Sequence, residues 1–483
     1  MTLLSVLQLT GGRPPSATTK CAHGDLGNKI LPKAIKGELA YNTFEPMRIR
    51  IGGSLQDQVL YAMSKSVTEC PPDFKKDPKG LFGFSSGCLS RERWDEVNEL
   101  FTNSGAVLTF GLNALYGRAL PKSGTGYSGA WNPSNTRDFI EYTIAKGYNV
   151  DSYEFGNELS GGGVSAKVAA NQYSSDVKVL KNLLLELYKN STTQPKLWAP
   201  GGFFETKWYQ DFLEATGPHV VDVLTHHIYN LGPGGDPKLM HRLQDPFTLD
   251  NTIQTLNDIL VTIQRFGPWA DAAISESGGA YNSGGPADCR VIELLDWYRY
   301  LDSLGATSTF NHKTFCRQTL IGGNYGLLNT TTMEPNPDYY SALLFHRLMG
   351  KGVLSTHHNG SPYLRSYVHC SKNTTGITVL LINLSNSTSF HISLVNDLNF
   401  YPPRQLQELS SSKGFREEYN LTPENGDLKS QTMLLNGEPL LVDCRGNIPD
   451  LEPEFVDAST HINISPSSIK FVVLKNFRAP ACS

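Results

Sequence analysis

The chain has 483 residues, of which 18% are charged, and its formal net charge is -4. This length exceeds one ordinary domain and predicts two domains with a large core. The charge balance excludes the basic excess of a nucleic-acid-binding protein and the acidic excess of a disordered tail. This balance allows a small, nearly neutral partner or substrate, and we expect no nucleic acid.

The first residues, MTLLSVLQLTGG, hold a short apolar stretch without a basic start, which matches a secretory signal peptide poorly. No stretch reaches the roughly 20 apolar residues that span a bilayer, so we expect at most peripheral membrane association. The N-x-Ser/Thr sequons nevertheless indicate a secreted, glycosylated surface; their asparagines are Asn190, Asn329, Asn359, Asn373, Asn383, Asn386, Asn420 and Asn463.

The cysteines lack the CxxC and Cys/His spacings of metal sites, so we predict structural roles for them and no metal. They are Cys21, Cys70, Cys88, Cys289, Cys316, Cys370, Cys444 and Cys482. A few disulfides or buried thiols in a chain of this size would account for them.

Strand-like runs alternate with helical patterns over the first two thirds of the chain. The predicted strands are 47–53, 106–115, 148–158, 196–202, 220–230, 271–279 and 312–323. Between them, stretches such as SRERWDEVNELFTNSG carry apolar residues at the helical period. Strand followed by helix, repeated, predicts a parallel α/β domain of the (β/α)8 TIM-barrel class, although only seven of its eight strands can be recognised.

After about residue 350 the pattern changes to short β-rich runs with turn residues and no long helix, such as GITVLLINLS and IKFVVLKNF. This pattern predicts a C-terminal antiparallel β-sandwich domain. We therefore assign residues 1–350 to the barrel and residues 351–483 to the sandwich.

Two of the predicted strands end in a glutamate, Glu158 in FGNELSGG and Glu276 in ISESGGAYNSGG. Barrel enzymes carry their working residues at the C-terminal ends of strands, and the fourth and seventh strands face each other across the mouth. Glycoside hydrolysis through a covalent intermediate needs two carboxyl groups roughly 5–5.5 Å apart. Alternatively, each glutamate is a helix N-cap or turn carboxylate.

Two further strand ends carry polar groups. THHIYN supplies His227 and Tyr229, and a tyrosine there could hydrogen-bond the nucleophile and keep it ionised. CRQTLIGGNYGLL supplies Gln318 and Tyr325, which could reach a sugar. We count His227 and Gln318 among the expected substrate-binding residues. Alternatively, the histidines form a satisfied pair and Tyr229 belongs to the core, while Arg317 could be a buried structural arginine.

Together these motifs resemble glycoside hydrolase family 79, the heparanase-like proteins, and especially its plant branch, which includes β-glucuronidases acting on flavonoid glucuronides. The resemblance extends from about residue 45 to the C terminus and includes NPDYYSALLFHRLMG. It implies a retaining enzyme with a barrel and a sandwich, which needs no cofactor. The implied substrate carries β-linked glucuronic acid, as a glucuronide, a polysaccharide or a glycoprotein. We expect a monomer that is extracellular, lysosomal or vacuolar.

The resemblance also implies residue roles. Glu158 looks like the general acid/base and Glu276 like the nucleophile, with Asn157 binding the sugar 2-hydroxyl and Tyr229 contacting the nucleophile. The region implied to recognise the sugar carboxylate, partly through backbone N–H groups, comprises Tyr325 and the loop of Ala280, Tyr281, Asn282, Ser283 and Gly284. The implied disulfides join Cys370 to Cys482 and Cys70 to Cys88.

The N terminus departs from this family. Members begin with a secretion signal and a first barrel strand that bears an acidic residue near the sugar, and no such strand is visible here. We expect either that the first strand is missing or that LLSVLQL partly fills the gap. A missing strand would expose two ladder edges and would favour a noncatalytic or vestigial carbohydrate-binding protein. A third possibility is a pocket that has changed to neutral sugars.

Overall fold

The structure of the protein is a computed structural model. It describes residues 5–9, 44, 47–63, 67, 74–119, 124–234, 236–281, 288–320, 326–329, 332, 334–395, 414–443, 446–475 and 477–482. Within these ranges, none of the helices combines the length and the hydrophobicity needed to span a bilayer.

The first ten strands belong to the N-terminal part of the chain. They are β1 Ser5–Leu9, β2 Arg48–Ile51, β3 Val59–Tyr61, β4 Gly87–Leu89, β5 Val107–Leu112, β6 Ser152–Phe155, β7 Lys196–Phe203, β8 Val223–Tyr229, β9 Asp271–Gly278 and β10 His312–Arg317. β3 and β4 pair with each other outside the barrel. The other eight form a closed barrel of parallel strands in the order β1-β2-β5-β6-β7-β8-β9-β10.

The barrel closes through β1. This strand pairs in parallel with β2, where Leu7 lies opposite Ile49, and with β10, where Val6 lies opposite Cys316. Of the two expectations for the first strand, this arrangement agrees with the one in which LLSVLQL fills the gap. The predicted TIM barrel is therefore confirmed, and each of the seven strands predicted from sequence overlaps a barrel strand.

Nine α-helices are described along the chain. They are α1 Arg91–Ser104, α2 Ser134–Ala145, α3 Ala170–Leu187, α4 Thr206–Thr216, α5 Leu239–Arg242, α6 Pro246–Leu249, α7 Asn251–Phe266, α8 Asp288–Thr309 and α9 Pro337–Leu348. α1 shows how the sequence sets the ends of a helix. The side chain of Ser90 accepts a hydrogen bond from the Arg93 N–H, and Gly105 ends the helix in the left-handed conformation at φ 61°.

α3 packs on the barrel through an apolar stripe at helical spacing. Tyr173, Val177, Leu180 and Leu184 are all buried and recur every three or four residues. This spacing places them on one face of the helix. Burial of each such side chain stabilises the fold by roughly 1.5–3 kcal/mol relative to exposure.

The C-terminal part is built from antiparallel strands. They are β11 Met349–Leu354, β12 Leu364–Ser371, β13 Ile377–Asn383, β14 Phe390–Ile392, β15 Phe415–Pro423, β16 Met433–Leu435, β17 Glu438–Pro439, β18 Glu454–Asp457, β19 Ile462–Ile464 and β20 Ser468–Leu474. The large sheet has the order β11-β12-β13-β20-β15-β16-β17, with β18 on β15, and β14 and β19 form a second sheet.

One strand of the large sheet, β13, is buried on both faces. Every residue of β13 is buried. On one face, Val379 and Leu381 share a cluster with Ile462 of the small sheet. On the other face, Leu380 and Ile382 belong to the same cluster as the barrel core. Alternate residues of one strand therefore join the barrel and the sandwich into a continuous packed structure.

Polar contacts also join the two parts. Arg365 of β12 binds Asp250, at the start of α7, with Nη2 and Oδ1 2.7 Å apart. The Tyr367 hydroxyl donates to Asp302 of α8 at 2.6 Å. Burial raises the pKa of Asp302, against the opposing effect of Arg365 and the Tyr367 hydroxyl. Asp302 therefore depends on these two partners.

The cysteines divide into bonded and free. Cys370 and Cys482 form the predicted disulfide, which ties β12 to the C-terminal tail. Cys88 is also disulfide-bonded. Its predicted partner, Cys70, lies outside the described residues, so that pairing stays a prediction. Cys316 is a free, buried thiol in β10.

Candidate active site

Glu158 lies in the loop directly after β6 and has an unusual backbone conformation. Its φ is 56°, a left-handed value that costs a non-glycine residue roughly 1–2 kcal/mol. The Glu158 N–H donates to the carbonyl of Gly201 in β7 at 2.7 Å. The adjacent strand thus holds the loop, and the Glu158 side chain is only 9% exposed at the barrel mouth.

Glu276 lies near the end of β9 and is also buried. Its Oε1 accepts a hydrogen bond from the Tyr229 hydroxyl at 2.6 Å. The same hydroxyl contacts Oε1 of Gln318, just beyond β10. The tyrosine has one proton, so it can donate to only one of these acceptors at a time.

The two glutamates meet across His227, as their strand positions predicted. The His227 Nδ1 lies 3.0 Å from Glu158 Oε1 and 3.9 Å from Glu276 Oε2. One oxygen of each carboxylate and this nitrogen all lie within 4.8 Å of one another. For comparison, the two carboxyl groups lie about 5–5.5 Å apart in retaining glycosidases and about 6.5–9.5 Å apart in inverting ones.

Arg50 of β2 completes the site, and the sequence analysis missed it. Its guanidinium contacts Glu154 through Nε, lies 3.2 Å from Glu276 Oε2 through Nη1, and donates to Asn157 Oδ1 at 3.0 Å through Nη2. Burial alone would lower the pKa of Arg50, but Glu154 and Glu276 more than offset it and raise the pKa above its ordinary value. Arg50 is therefore a fixed cation beside Glu276.

Asp57, also missed, holds the backbone next to Glu158. One of its oxygens accepts from the Asn157 N–H and the other from the Ala114 N–H, each at 2.8 Å. Burial raises the pKa of Asp57 to about 7, against the opposing effect of these N–H groups and of Arg118. A single carboxylate thus connects the loops that follow β5 and β6.

The two histidines of THHIYN have different surroundings. His227 faces the glutamates, whereas Nε2 of His226 lies 3.0 Å from Nε2 of His312 inside the barrel. Burial lowers the pKa of both His226 and His312, that of His312 to about 4. His226 is thus a core histidine that pairs with His312 and not with His227, and its Nδ1 is buried without a hydrogen-bond partner among the described residues. His227 is the histidine in the site.

The loop expected to bind a sugar carboxylate is described only in part. Ala280 is buried, and Tyr281 is 42% exposed, with its N–H donating to the carbonyl of Gly232 at 3.0 Å. Gln318 lies beside Tyr229. The other predicted members, Asn282, Ser283, Gly284 and Tyr325, lie outside the described residues, so their part in the site stays a prediction.

One group of side chains in the described ranges has the donors to hold a metal ion. It consists of Glu158, His227 and Glu276, which offer two oxygens and one nitrogen. The guanidinium of Arg50 already contacts Glu276, so a second cation there would be repelled. The donor set therefore fits acid–base chemistry better than metal binding.

The sequence is similar to those of known glycosyl hydrolases. Residues 16–305 match the profile of the glycosyl hydrolase family 79 N-terminal domain. Heparanase-like protein 1 of Arabidopsis thaliana is 51% identical over 480 residues, covering 95% of this chain and 86% of its own. Baicalin-beta-D-glucuronidase of Scutellaria baicalensis is 39% identical over 481 residues, covering 94% and 87%.

Solved structures support the fold. A 4-O-alpha-L-rhamnosyl-beta-D-glucuronidase from Fusarium oxysporum 12S superposes with a TM-score of 0.62 at 14% identity, over 97% of this chain and 100% of that one. An alpha-L-arabinofuranosidase from Thermotoga maritima has a TM-score of 0.63 at the same identity, over 98% and 96%. The family predicted from the motifs is confirmed: the chain belongs to glycosyl hydrolase family 79 and is a glycosidase.

Proposed function

We propose that the protein is a retaining glycosidase that cleaves β-linked glucuronic acid, with Glu276 as nucleophile and Glu158 as general acid/base. The observation that carries this proposal is the meeting of the two carboxylates, whose oxygens approach within 4.8 Å at the barrel mouth. Two carboxyl groups at this separation suit a double displacement.

In the first step, Glu276 attacks the anomeric carbon while Glu158 donates a proton to the departing oxygen. Tyr229 and Arg50 both contact the Glu276 carboxylate, and a hydrogen-bond donor and a cation there stabilise its ionised form. In the second step, Glu158 takes a proton from water, and the hydroxide oxygen displaces Glu276 from the sugar.

His227 and Asn157 support the acid/base. The His227 Nδ1 lies 3.0 Å from Glu158 Oε1, so one proton between them holds the carboxyl group in a fixed direction. The Asn157 side chain is oriented by Arg50. Its amide N–H₂ is then available to the sugar 2-hydroxyl, the role that the family resemblance implies.

The substrate part of the proposal rests on the family and on its relatives. The proposed carboxylate-binding region is the loop 280–284 with Tyr325. Natural substrates would be glucuronides or glucuronic-acid-containing polysaccharides or glycoproteins, bound by a monomer. Cleavage of neutral aryl glucosides in preference to glucuronides would contradict this part while leaving the two-glutamate mechanism intact.

We also propose passage through the secretory pathway to an extracellular, lysosomal or vacuolar site. Several sequon asparagines are exposed and open to glycosylation, whereas Asn383 is buried and donates to the carbonyls of Thr388 and Ser465, each at 2.8 Å. The exposed ones are Asn190, Asn359, Asn373, Asn386 and Asn463. Removal of N-glycans from protein made in a secretory host should shift its mass.

The test compares Glu276→Gln, Glu158→Gln and the exposed control Glu214→Gln. We expect Glu276→Gln to abolish hydrolysis of aryl β-glucuronides, and Glu158→Gln to slow mainly those with poor leaving groups. The control should behave as wild type. NMR of the first product should show the β-anomer, since two inversions retain configuration.

Full activity in Glu276→Gln, or initial release of the α-anomer, would contradict the mechanism. Sugar binding in a titration without any release of product would instead favour the noncatalytic alternative. That alternative was motivated by a missing first strand. The closed barrel and the short distance between the two glutamates therefore argue against it.

A further inference from the structure

A small cavity lies against Glu158. It contains about 320 Å³ of empty space, part of it open to solvent, and is formed by the loops after β6 and β7. Glu158, Gly161, Gly162, Val164, Phe203 and Glu205 contribute to its walls. About 100 Å³ of this space is accessible to a ligand, which is less than the roughly 300–1,000 Å³ typical of complete ligand sites. The cavity therefore has room for a single ring and not for several sugars of a polymer.

We propose that this cavity binds the leaving group, that Phe203 stacks on it, and that Glu205 selects against negatively charged leaving groups. The proposal rests on the function proposed above and adds the chemical class of the leaving group, a planar and uncharged ring. The family resemblance implies a set of catalytic and substrate-binding residues. Of those that the structure describes, Glu158 is the one that lines this cavity.

The position of the cavity assigns it to the leaving group. A general acid must stand beside the departing oxygen, whereas the nucleophile stands on the opposite side of the anomeric carbon. Glu158 lines the cavity and Glu276 does not. A group attached to the departing oxygen therefore extends into this space, on the side of the acid.

Phe203 offers an aromatic surface next to the reacting bond. It ends β7, and the residue is 38% exposed. The ring centroid lies 6.4 Å from that of His227 and 6.0 Å from that of Tyr229, at steep angles. These two residues, which contact the glutamates, support the ring and fix its orientation, while its exposed part can receive another ring.

Glu205 gives the cavity its charge. It is exposed and lies against Gly161, where an added Cβ would be 3.0 Å from Oε2 of Glu205. Among the residues that the structure describes, no hydrogen bond or ion pair neutralises its carboxylate, and none of the cavity residues is basic. The nearby Lys207 pairs with Asp211.

This charge distribution predicts the selectivity. A carboxylate or sulfate on the leaving group would approach Glu205 with no cation among the lining residues. In a partly solvated site such repulsion is on the order of a fivefold to tenfold effect. The repulsion should weaken at high ionic strength, because the Debye length falls from about 10 Å at 0.1 M to about 3 Å at 1 M. An uncharged phenol avoids it.

The experiment uses two glucuronides of matched shape, 3-carbamoylphenyl and 3-carboxyphenyl β-D-glucuronide. In low salt, we expect the kcat/KM of the wild-type protein to be about fivefold to tenfold higher for the neutral probe than for the anionic one. In 1 M salt this ratio should be smaller. Glu205→Gln should bring the ratio close to one, whereas the control Glu214→Gln, in the helix α4 that follows Glu205, should keep it.

Stacking is tested separately with the neutral aryl probe and methyl β-D-glucuronide. Phe203→Ala and Phe203→Leu should both raise KM for the aryl probe by about threefold to tenfold, with a smaller change for the methyl glycoside. The leucine variant keeps most of the buried contacts, so it separates stacking from folding. The control Phe247→Ala removes an exposed phenylalanine outside the cavity and should change neither value.

Two failures are distinguishable. Hydrolysis of both probes at equal rates by wild type and Glu205→Gln would overturn the leaving-group assignment and leave the glucuronidase function standing. No hydrolysis of any glucuronide by wild type would overturn the function and, with it, this inference. A ratio that changes equally in Glu214→Gln would also refute a local effect of Glu205.

Discussion

Replacing Arg50 with methionine should both destabilise the barrel and remove most activity. Arg50 and Glu154 form an ion pair whose side chains are both fully buried, and Arg50 also lies 3.2 Å from Glu276. Methionine keeps an apolar stem of similar length, so the loss reflects charge more than a cavity. Breaking a buried ion pair by removing one partner leaves an uncompensated charge and typically costs about 3–5 kcal/mol.

A second substitution separates stability from chemistry. In Arg50→Met/Glu154→Gln both charges of the buried pair are gone, so we expect the free energy of unfolding to recover by about 2–3 kcal/mol relative to Arg50→Met. Activity should not recover, because Glu276 and Asn157 still lack the guanidinium that contacts them. The single variant Glu154→Gln completes the cycle.

Urea unfolding followed by tryptophan fluorescence gives the stability of the four proteins, and hydrolysis of an aryl β-glucuronide gives their activity. A loss below about 1 kcal/mol in Arg50→Met, the size expected of an exposed pair, would refute the buried-pair reasoning. It would also be refuted if the losses in the free energy of unfolding from Arg50→Met and Glu154→Gln were additive in the double variant. Recovery of turnover in the double variant would show that Arg50 acts on the fold alone.

Three further predictions concern stability. Burial raises the pKa of Asp57 from 3.8 to about 7, so between these values the folded protein holds a proton that the unfolded chain has released. The stabilisation of the folded protein by this bound proton is fully present below pH 4, and it falls by about 4 kcal/mol as the pH rises through 7. The urea midpoint should therefore decline less with rising pH in Asp57→Asn than in the wild type. Tyr367→Phe, which removes the hydroxyl that donates to Asp302, should lower the free energy of unfolding by about 1.5–3 kcal/mol, without changing KM. Cys482→Ser should lower it by about 2–5 kcal/mol, because the bond to Cys370 closes a loop with a sequence separation of 112 residues, and a melting temperature unchanged from wild type would exclude this role.

The sequence predicted the parts of the fold that repeat locally. Seven barrel strands could be recognised as apolar runs between helical patterns. Glu158 and Glu276 could be recognised by their position at strand ends. β1 could not be recognised with certainty, because SVLQL is short and its partners are distant in sequence. Leu7 lies opposite Ile49 on one side and Arg317 on the other. Such pairings depend on the closure of the whole barrel, which no local pattern encodes.

The residues that support the glutamates were harder to find. An arginine in a strand is usually interpreted as a surface residue. In MRIRIGG, however, Arg48 and Arg50 alternate with isoleucines. In a barrel strand that is buried on both faces, either the arginines or the isoleucines must point into the barrel. That alternation was the available signal for Arg50. Asp57 gave none, since its role is to accept two backbone N–H groups from loops about 60 and 100 residues further along the chain.

The close packing of Gly202 determines how the specificity of this site could be altered. A Cβ at Gly202 would overlap the Ser160 hydroxyl and lie 3.2 Å from the Glu158 Cα, whereas one at Gly162 would meet nothing within 4 Å. An engineer seeking new leaving groups should therefore diversify Gly162 and the exposed Val164. Gly202 should be left as it is, because a larger residue there would press on the backbone of Glu158 and on Ser160, which lines the cavity.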